Sequence, residues 1–248
     1  MTELHPPSLA DAAARGAHAT VIELATARID ERPGDDAARE FRARAHLALG
    51  RLEEAEEDAA AAVRLDPDEV RYRELLAEVL AARGAHRDAA AEFARLARRD
   101  PRQVAWTVAE AAERLGASDP DGGVRAARQA VRLDPMNGDA QLALARALIR
   151  LGDSPAALMA ASRAAELRPT NPEVREALAD ALWLADRPSQ AFVAFGSLAG
   201  ELRGADRARA TAKAREVYRM HAGWAGRLVA SIRPLFAVVL RRGWLSVQ

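Results

Sequence analysis

The chain has 248 residues, 50% of them hydrophobic but only 4% aromatic, with 36 basic and 36 acidic side chains and no cysteine. A net charge of zero excludes a bulk electrostatic pull toward nucleic acid, and the apolar content excludes a disordered chain. The lack of cysteine excludes disulfides, thiolate chemistry and cysteine-based zinc or iron–sulfur sites.

Alanine supplies most of the apolar content, and a core of Ala and Leu needs backbones that approach closely, as helices packed on helices do. Residues 1–7 show no basic run followed by an apolar one, so no secretory leader is expected. Residues 37–49, 70–83, 105–115, 139–151 and 173–185 each carry apolar side chains at three- and four-residue spacing, which predicts helices. A second helix is expected after each, as over 52–65 and 87–98. The opening helix is shortened by Pro6 and Pro7.

These elements follow one period. Pro33, Pro67, Pro101, Pro135 and Pro169 are each 34 residues apart, and the words around them recur, as in Val63-Arg-Leu-Asp-Pro67 and Val131-Arg-Leu-Asp-Pro135. Ala43, Ala77, Ala111, Ala145 and Ala179 keep the same step in the first helices. Ala55, Ala89, Ala157 and Ala191 keep it in the second, with Ala59, Phe93, Ala127, Ala161 and Phe195 one turn on. Gly16, Gly50, Gly84 and Gly152 mark the turn inside each unit. The fourth unit lacks that glycine, so its turn is expected at Gly116, with a longer connection over 118–123.

These markers resemble the tetratricopeptide repeat, a 34-residue helix–turn–helix unit. The resemblance covers six units over 2–205 and implies an all-α, right-handed superhelical solenoid, followed by a capping helix over 206–223 and an amphipathic segment over 224–248. It further implies a concave groove lined by the first helices, which binds a protein or peptide partner. The family's chaperone-reading clamp of Lys and Asn has no counterpart. The corresponding positions read Glu40 and Arg44, Glu74 and Glu78, Val108 and Ala112, Leu142 and Arg146, Glu176 and Asp180.

Groove candidates are therefore Arg44, Glu78, Val108, Leu115, Leu142, Arg146, Ile149 and Trp183. Their apolar members fit a trough for a ligand helix, and they equally fit packing between neighbouring helices, because a register error of one residue rotates a side chain by ~100°.

From Asp206 onward nine basic side chains face two acidic ones, so the preceding repeats hold the opposite excess. Trp224, Leu228, Ile232 and Phe236 recur at helical spacing, flanked by Arg227 and followed by Trp244. Three uses of this segment stand open: packing on the array, lying on an anionic membrane surface, or docking another protein or a second copy. No nucleic-acid module accompanies it.

Signs of chemistry are absent. His5, His18, His46, His86 and His221 contain no pair at the four-residue spacing of a helical metal site, and no phosphate-binding loop or nucleophile elbow occurs. No cofactor, metal or catalytic residue is expected. The reading is a non-catalytic adaptor, cytoplasmic and from a GC-rich bacterium on its Arg and Ala usage, with peripheral membrane attachment or self-association as the alternatives.

Overall fold

The computed structural model describes residues 8–221. Among these the chain is all helical, from α1 (Leu9–Ala14) to α13 (Gly204–His221), with no strand. It divides between Pro135 and Met136 into two compact units. The first holds α1, α2 (His18–Glu31), α3 (Asp36–Ala48), α4 (Leu52–Leu65), α5 (Val70–Ala82), α6 (His86–Arg99), α7 (Val104–Gly116) and α8 (Pro120–Leu133). The second holds α9 (Gly138–Leu151), α10 (Ser154–Leu167), α11 (Pro172–Leu184), α12 (Pro188–Glu201) and α13. Within each unit consecutive helices pack on one another. Trp224, Arg227, Leu228, Ile232, Phe236 and Trp244 lie outside the described residues, as does Gly223 at the boundary of the expected cap.

The period in the sequence is a period in burial. Ala43, Ala77, Ala111, Ala145 and Ala179 are all fully buried, as are Ala55, Ala89, Ala157 and Ala191. A methyl at each crossing lets the two helices of a hairpin come close. Bulk enters only at particular steps, where Phe93 packs with Ala77 and Leu96, and Phe195 with Ala179 and Ala191.

Each unit also ends in the same way. Asp66, Asp100 and Asp134 close α4, α6 and α8 in extended conformation, as a residue before proline must. Three residues after each helix-closing residue, Asp35, Glu69, Asn137 and Asn171 cap the next first helix through side-chain oxygens that accept backbone N–H groups, whereas Gln103 at the equivalent place does not.

The fourth turn differs from expectation. Ser118 adopts φ 59°, in the same left-handed region as Gly16, Gly50, Gly84 and Gly152, and it sits 34 residues after Gly84. Asp186 does the same at φ 55°. The turn has not moved to Gly116, and the connection is only residues 117–119. Asp119 caps α8 by accepting the Gly122 N–H at 2.9 Å, with Pro120 in the first turn. The glycines of this unit provide room instead. A Cβ on Gly123 would stand 3.0 Å from the Leu115 side chain, and one on Gly116 would strike the His86 ring.

Ion pairs tie helices together across this small-residue core. Arg42 grips the buried Asp58 with two bonds of 2.7 and 2.8 Å and donates to Thr26 at 3.0 Å, joining α2, α3 and α4. Nearby, His46 is buried, and its Nδ1 has no hydrogen-bond partner. Burial lowers its proton affinity, against the pull of Asp58 and Glu54 and with the help of Arg42 and Arg51.

The connection from α12 to α13 is two residues long, where four separate α4 from α5. Helix α13 turns Ala210, Ala214 and Val217 inward and leaves Arg207, Arg215 and Arg219 exposed.

Three outcomes follow from this packing. Ala77→Leu overpacks a crossing and should lower stability by about 1–3 kcal/mol, read as a lower thermal midpoint with the helical dichroism retained before melting. Ser118→Gly should raise stability by about 0.5–1 kcal/mol, because relief of the left-handed strain exceeds glycine's extra unfolded-state entropy. Asp186→Gly should gain less, since aspartate tolerates that conformation better. In the third case, the unfolded chain takes up a proton at His46 near pH 6.5 while the folded chain resists it. Stability should therefore fall as pH drops below about 6.5, and His46→Leu should flatten that part of the Tm-versus-pH curve.

Candidate functional site

The first helices carry one recurring pair of positions a turn apart, which therefore share a helix face. On α3 these are Glu40 and Arg44, on α5 Glu74 and Glu78, on α11 Glu176 and Asp180. What each carboxylate touches separates them.

Glu40 is 7% exposed. It accepts from Arg44 Nε at 3.1 Å and pairs with Arg71 of α5 at 3.4 Å. Arg44, the expected groove residue of this helix, is thus engaged by the protein itself and remains half-exposed.

On α5, Glu74 accepts the indole N–H of Trp106 from α7 at 2.9 Å, so the ring holds one carboxylate in place. Glu78, a turn further on, is exposed. Its proton affinity is raised: loss of hydration between the helices is the largest cause, Arg44 opposes it, and the like charge of Glu74 adds to it. A carboxylate that is reachable yet poorly hydrated, beside a second carboxylate, gains from any cation that arrives.

On α7 the face turns apolar. Val108 is half-buried and Ala112 exposed, while Leu115 lies over Gly123 of its own hairpin.

In the second unit the equivalent acids are occupied. Lys213 of α13 reaches Asp180 at 2.8 and 2.9 Å and Glu176 at 3.0 Å, and Arg209 reaches Glu176 at 3.3 Å. The Lys213 ammonium also stands 5.5 Å from the Phe195 ring centroid. Burial raises the proton affinity of Asp180, with Lys213 opposing.

Of the expected apolar positions in this unit, Leu142 is buried while Ile149 and Trp183 are partly exposed. Leu142 is 5% exposed and packs with Ala164, Val174 and Ala177, with Ile149 laid against the same cluster. Trp183 packs on the cluster of Ala179, Ala191, Phe195, Ala214 and Val217. Neither Leu142 nor the buried part of Trp183 is open to a ligand, because each fills the space left by alanines on the neighbouring helix. Arg146 is exposed and pairs with Glu173 at 3.0 Å.

Sequence reasoning missed Trp106, Arg71, Arg209 and Lys213 as partners of these acids. One signal was available: Lys213 is the single lysine among 36 basic side chains. Among the described residues no cluster of His, Asp and Glu is arranged to hold a metal ion, and no helix is long and apolar enough to cross a membrane.

Comparison with known proteins bears on the fold. The family model described as tetratricopeptide repeat matches residues 12–69, 42–104, 108–172 and 142–204. A search of curated protein sequences gave no match. Among solved structures, a tetratricopeptide repeat protein from Parabacteroides merdae is similar over 90% of this chain and 93% of its own, with TM-score 0.71 and 12% identity. TTC0263 from Thermus thermophilus is similar over 72% of this chain and 98% of its own, with TM-score 0.56 and 19% identity. YrrB, a TPR protein with an unusual peptide-binding site, is similar over 85% and 98%, with TM-score 0.54 and 15% identity. These likenesses concern the fold, and the repeat matches span most of the residues between 12 and 204; the chain belongs to the tetratricopeptide repeat family.

Proposed function

We propose that this protein is a non-catalytic adaptor whose first unit receives a partner segment on α3, α5 and α7, and that Glu74 and Glu78 take a basic side chain of that segment. The fold generally serves as a scaffold for protein–protein interaction, and a structural neighbour, YrrB, has a peptide-binding site.

One observation carries the finer reading. Glu74 and Glu78 occupy the repeat positions that Glu176 and Asp180 occupy three units later, and there the chain's own Lys213 fills the pair at 2.8–3.0 Å. Among the described residues no lysine is bonded to the same two carboxylates on α5: Glu74 accepts an indole, and Glu78 faces outward with the Arg44 charge acting on it. Arg44 and Arg71 flank them and bar a second acidic group, while Val108 and Ala112 offer an apolar step for the residue beside the basic one. An arrangement of this kind reads charge at one position and shape at the next. The membrane and self-association alternatives depend on Trp224, Arg227 and Trp244, which lie outside the described residues.

The test uses peptides of about twelve residues with a central lysine flanked by small apolar residues, titrated against the full chain. The central lysine should be required, with glutamine in its place costing about tenfold in Kd, as expected for a charged hydrogen bond. Glu78→Gln should cost a similar factor for the lysine peptide and nothing for the glutamine one. Equal binding of both peptides by the parent chain would sink this reading.

A further inference from the structure

Two second helices of the first unit carry different charge at the same repeat positions. On α4, Glu53, Glu57, Ala60 and Arg64 follow one another at four-, three- and four-residue steps and so form one stripe. On α8 the same steps give Asp121, Arg125, Arg128 and Arg132, each two repeats after its counterpart. All are exposed except Ala60, which is half-buried. Other surface arginines of this chain meet a carboxylate, as Arg99 meets Asp68 at 3.5 Å, Arg146 meets Glu173 at 3.0 Å and Arg163 meets Glu166 at 2.7 Å. Among the described residues Arg128 and Arg132 have no ion-pair partner, and the Arg125 charge acts on Asp119 without an ion pair. Three like charges at this spacing repel one another along a single helix face. Glu53 and Glu57 repel in the same way, and their charges act on Arg83 and Arg42 without pairing.

Each stripe finds its complement on the other. Laid antiparallel, α4 of one copy and α8 of another set Glu53 against Arg132, Glu57 against Arg128, Ala60 against Arg125 and Arg64 against Asp121. Three of these positions join opposite charges, none joins like charges, and the Arg125 stem lies along the Ala60 methyl. A parallel arrangement sets Glu53 against Asp121 and Arg64 against Arg132, so charge selects the antiparallel one. The chain as a whole has a net charge of zero, so no bulk repulsion holds two copies apart.

We infer that copies of this chain associate with one another through the α4 stripe of one and the α8 stripe of the next. The contact is heterologous: the α8 stripe of the first copy and the α4 stripe of the second stay open, so further copies add head to tail. A contact made by exposed ion pairs is weak and sensitive to salt. It uses no residue beyond Arg132 and none of α3, α5 and α7, which keeps it separate from both the C-terminal segment and the α5 carboxylates.

Sedimentation velocity of the full-length chain provides the test, at about 30 mM and about 500 mM salt, where the screening length is roughly 18 Å and roughly 4 Å. At low salt the weight-average sedimentation coefficient should rise with protein concentration, and at high salt it should not. Glu53→Arg combined with Glu57→Arg should abolish the rise, and so should Arg128→Glu combined with Arg132→Glu. An equimolar mixture of these two variants should restore it, because each reversed stripe then meets the other. A parent chain that does not associate at low salt overturns the inference. So does association that either variant retains, association that salt leaves undiminished, or a mixture that stays monomeric. Should a reversed chain lose its helical dichroism, Glu53→Gln with Glu57→Gln, or Arg128→Gln with Arg132→Gln, takes its place. Each neutral pair should lower the association constant by at least about fivefold, and an unchanged constant overturns the inference.

Discussion

Paired helices cross at positions where only a methyl fits between them, and the rest of the molecule depends on that spacing. Ala43, Ala77, Ala111, Ala145 and Ala179 are fully buried, so a methyl is the side chain each places against its neighbours. Close approach leaves little volume to fill and little apolar area per residue. Stability in such a hairpin comes from many small contacts repeated, not from a few large side chains. Where alanine is insufficient, a single large residue enters from one side, as Phe93 and Phe195 do. Where even alanine is too large, glycine replaces it, as at Gly123 beneath Leu115.

A small-residue core also places unusual weight on polar contacts between helices. Arg42 with Asp58, and Lys213 with Glu176 and Asp180, connect elements that share few bulky groups. These contacts recur at fixed repeat positions because the backbone presents the same face each time. The chain varies what it places there. At one step a carboxylate meets an arginine, at another an indole, at another an ammonium. Repetition of geometry with substitution of chemistry is how an array of nearly identical hairpins can acquire one position that faces a partner. The α5 pair differs from the α11 pair in this way: Glu74 meets the Trp106 indole, and Glu78 is exposed with the Arg44 charge acting on it.

Much of this was legible in the residues. The 34-residue step of proline, alanine and glycine is a property of local structure: proline ends helices, glycine permits a left-handed turn, and alanine permits close crossing. Those rules act over a few residues, so they are written in the chain. The groove was less legible. Glu78 and Arg44 could be placed on the outward face from their register, but Leu142 and Ile149 fall at the same spacing and are packed between α9 and α11. Spacing specifies a face of a helix, and it does not say whether a neighbour covers that face.

The sequence by itself determined the element type, the period and the hairpin pairing, because each follows from torsional preference and helical periodicity. The tertiary structure decided which side chains are spent on their neighbours. Trp106 reaching Glu74, Lys213 bridging Glu176 and Asp180, and Ser118 holding a left-handed turn without glycine are contacts or conformations imposed by packing. In the contacts the partners stand 32–37 residues apart in the chain, one repeat away, and only stacking brings them within hydrogen-bond distance. At Ser118 the neighbouring hairpin geometry outweighs a local strain of about 1–2 kcal/mol, which no reading of that residue alone would accept.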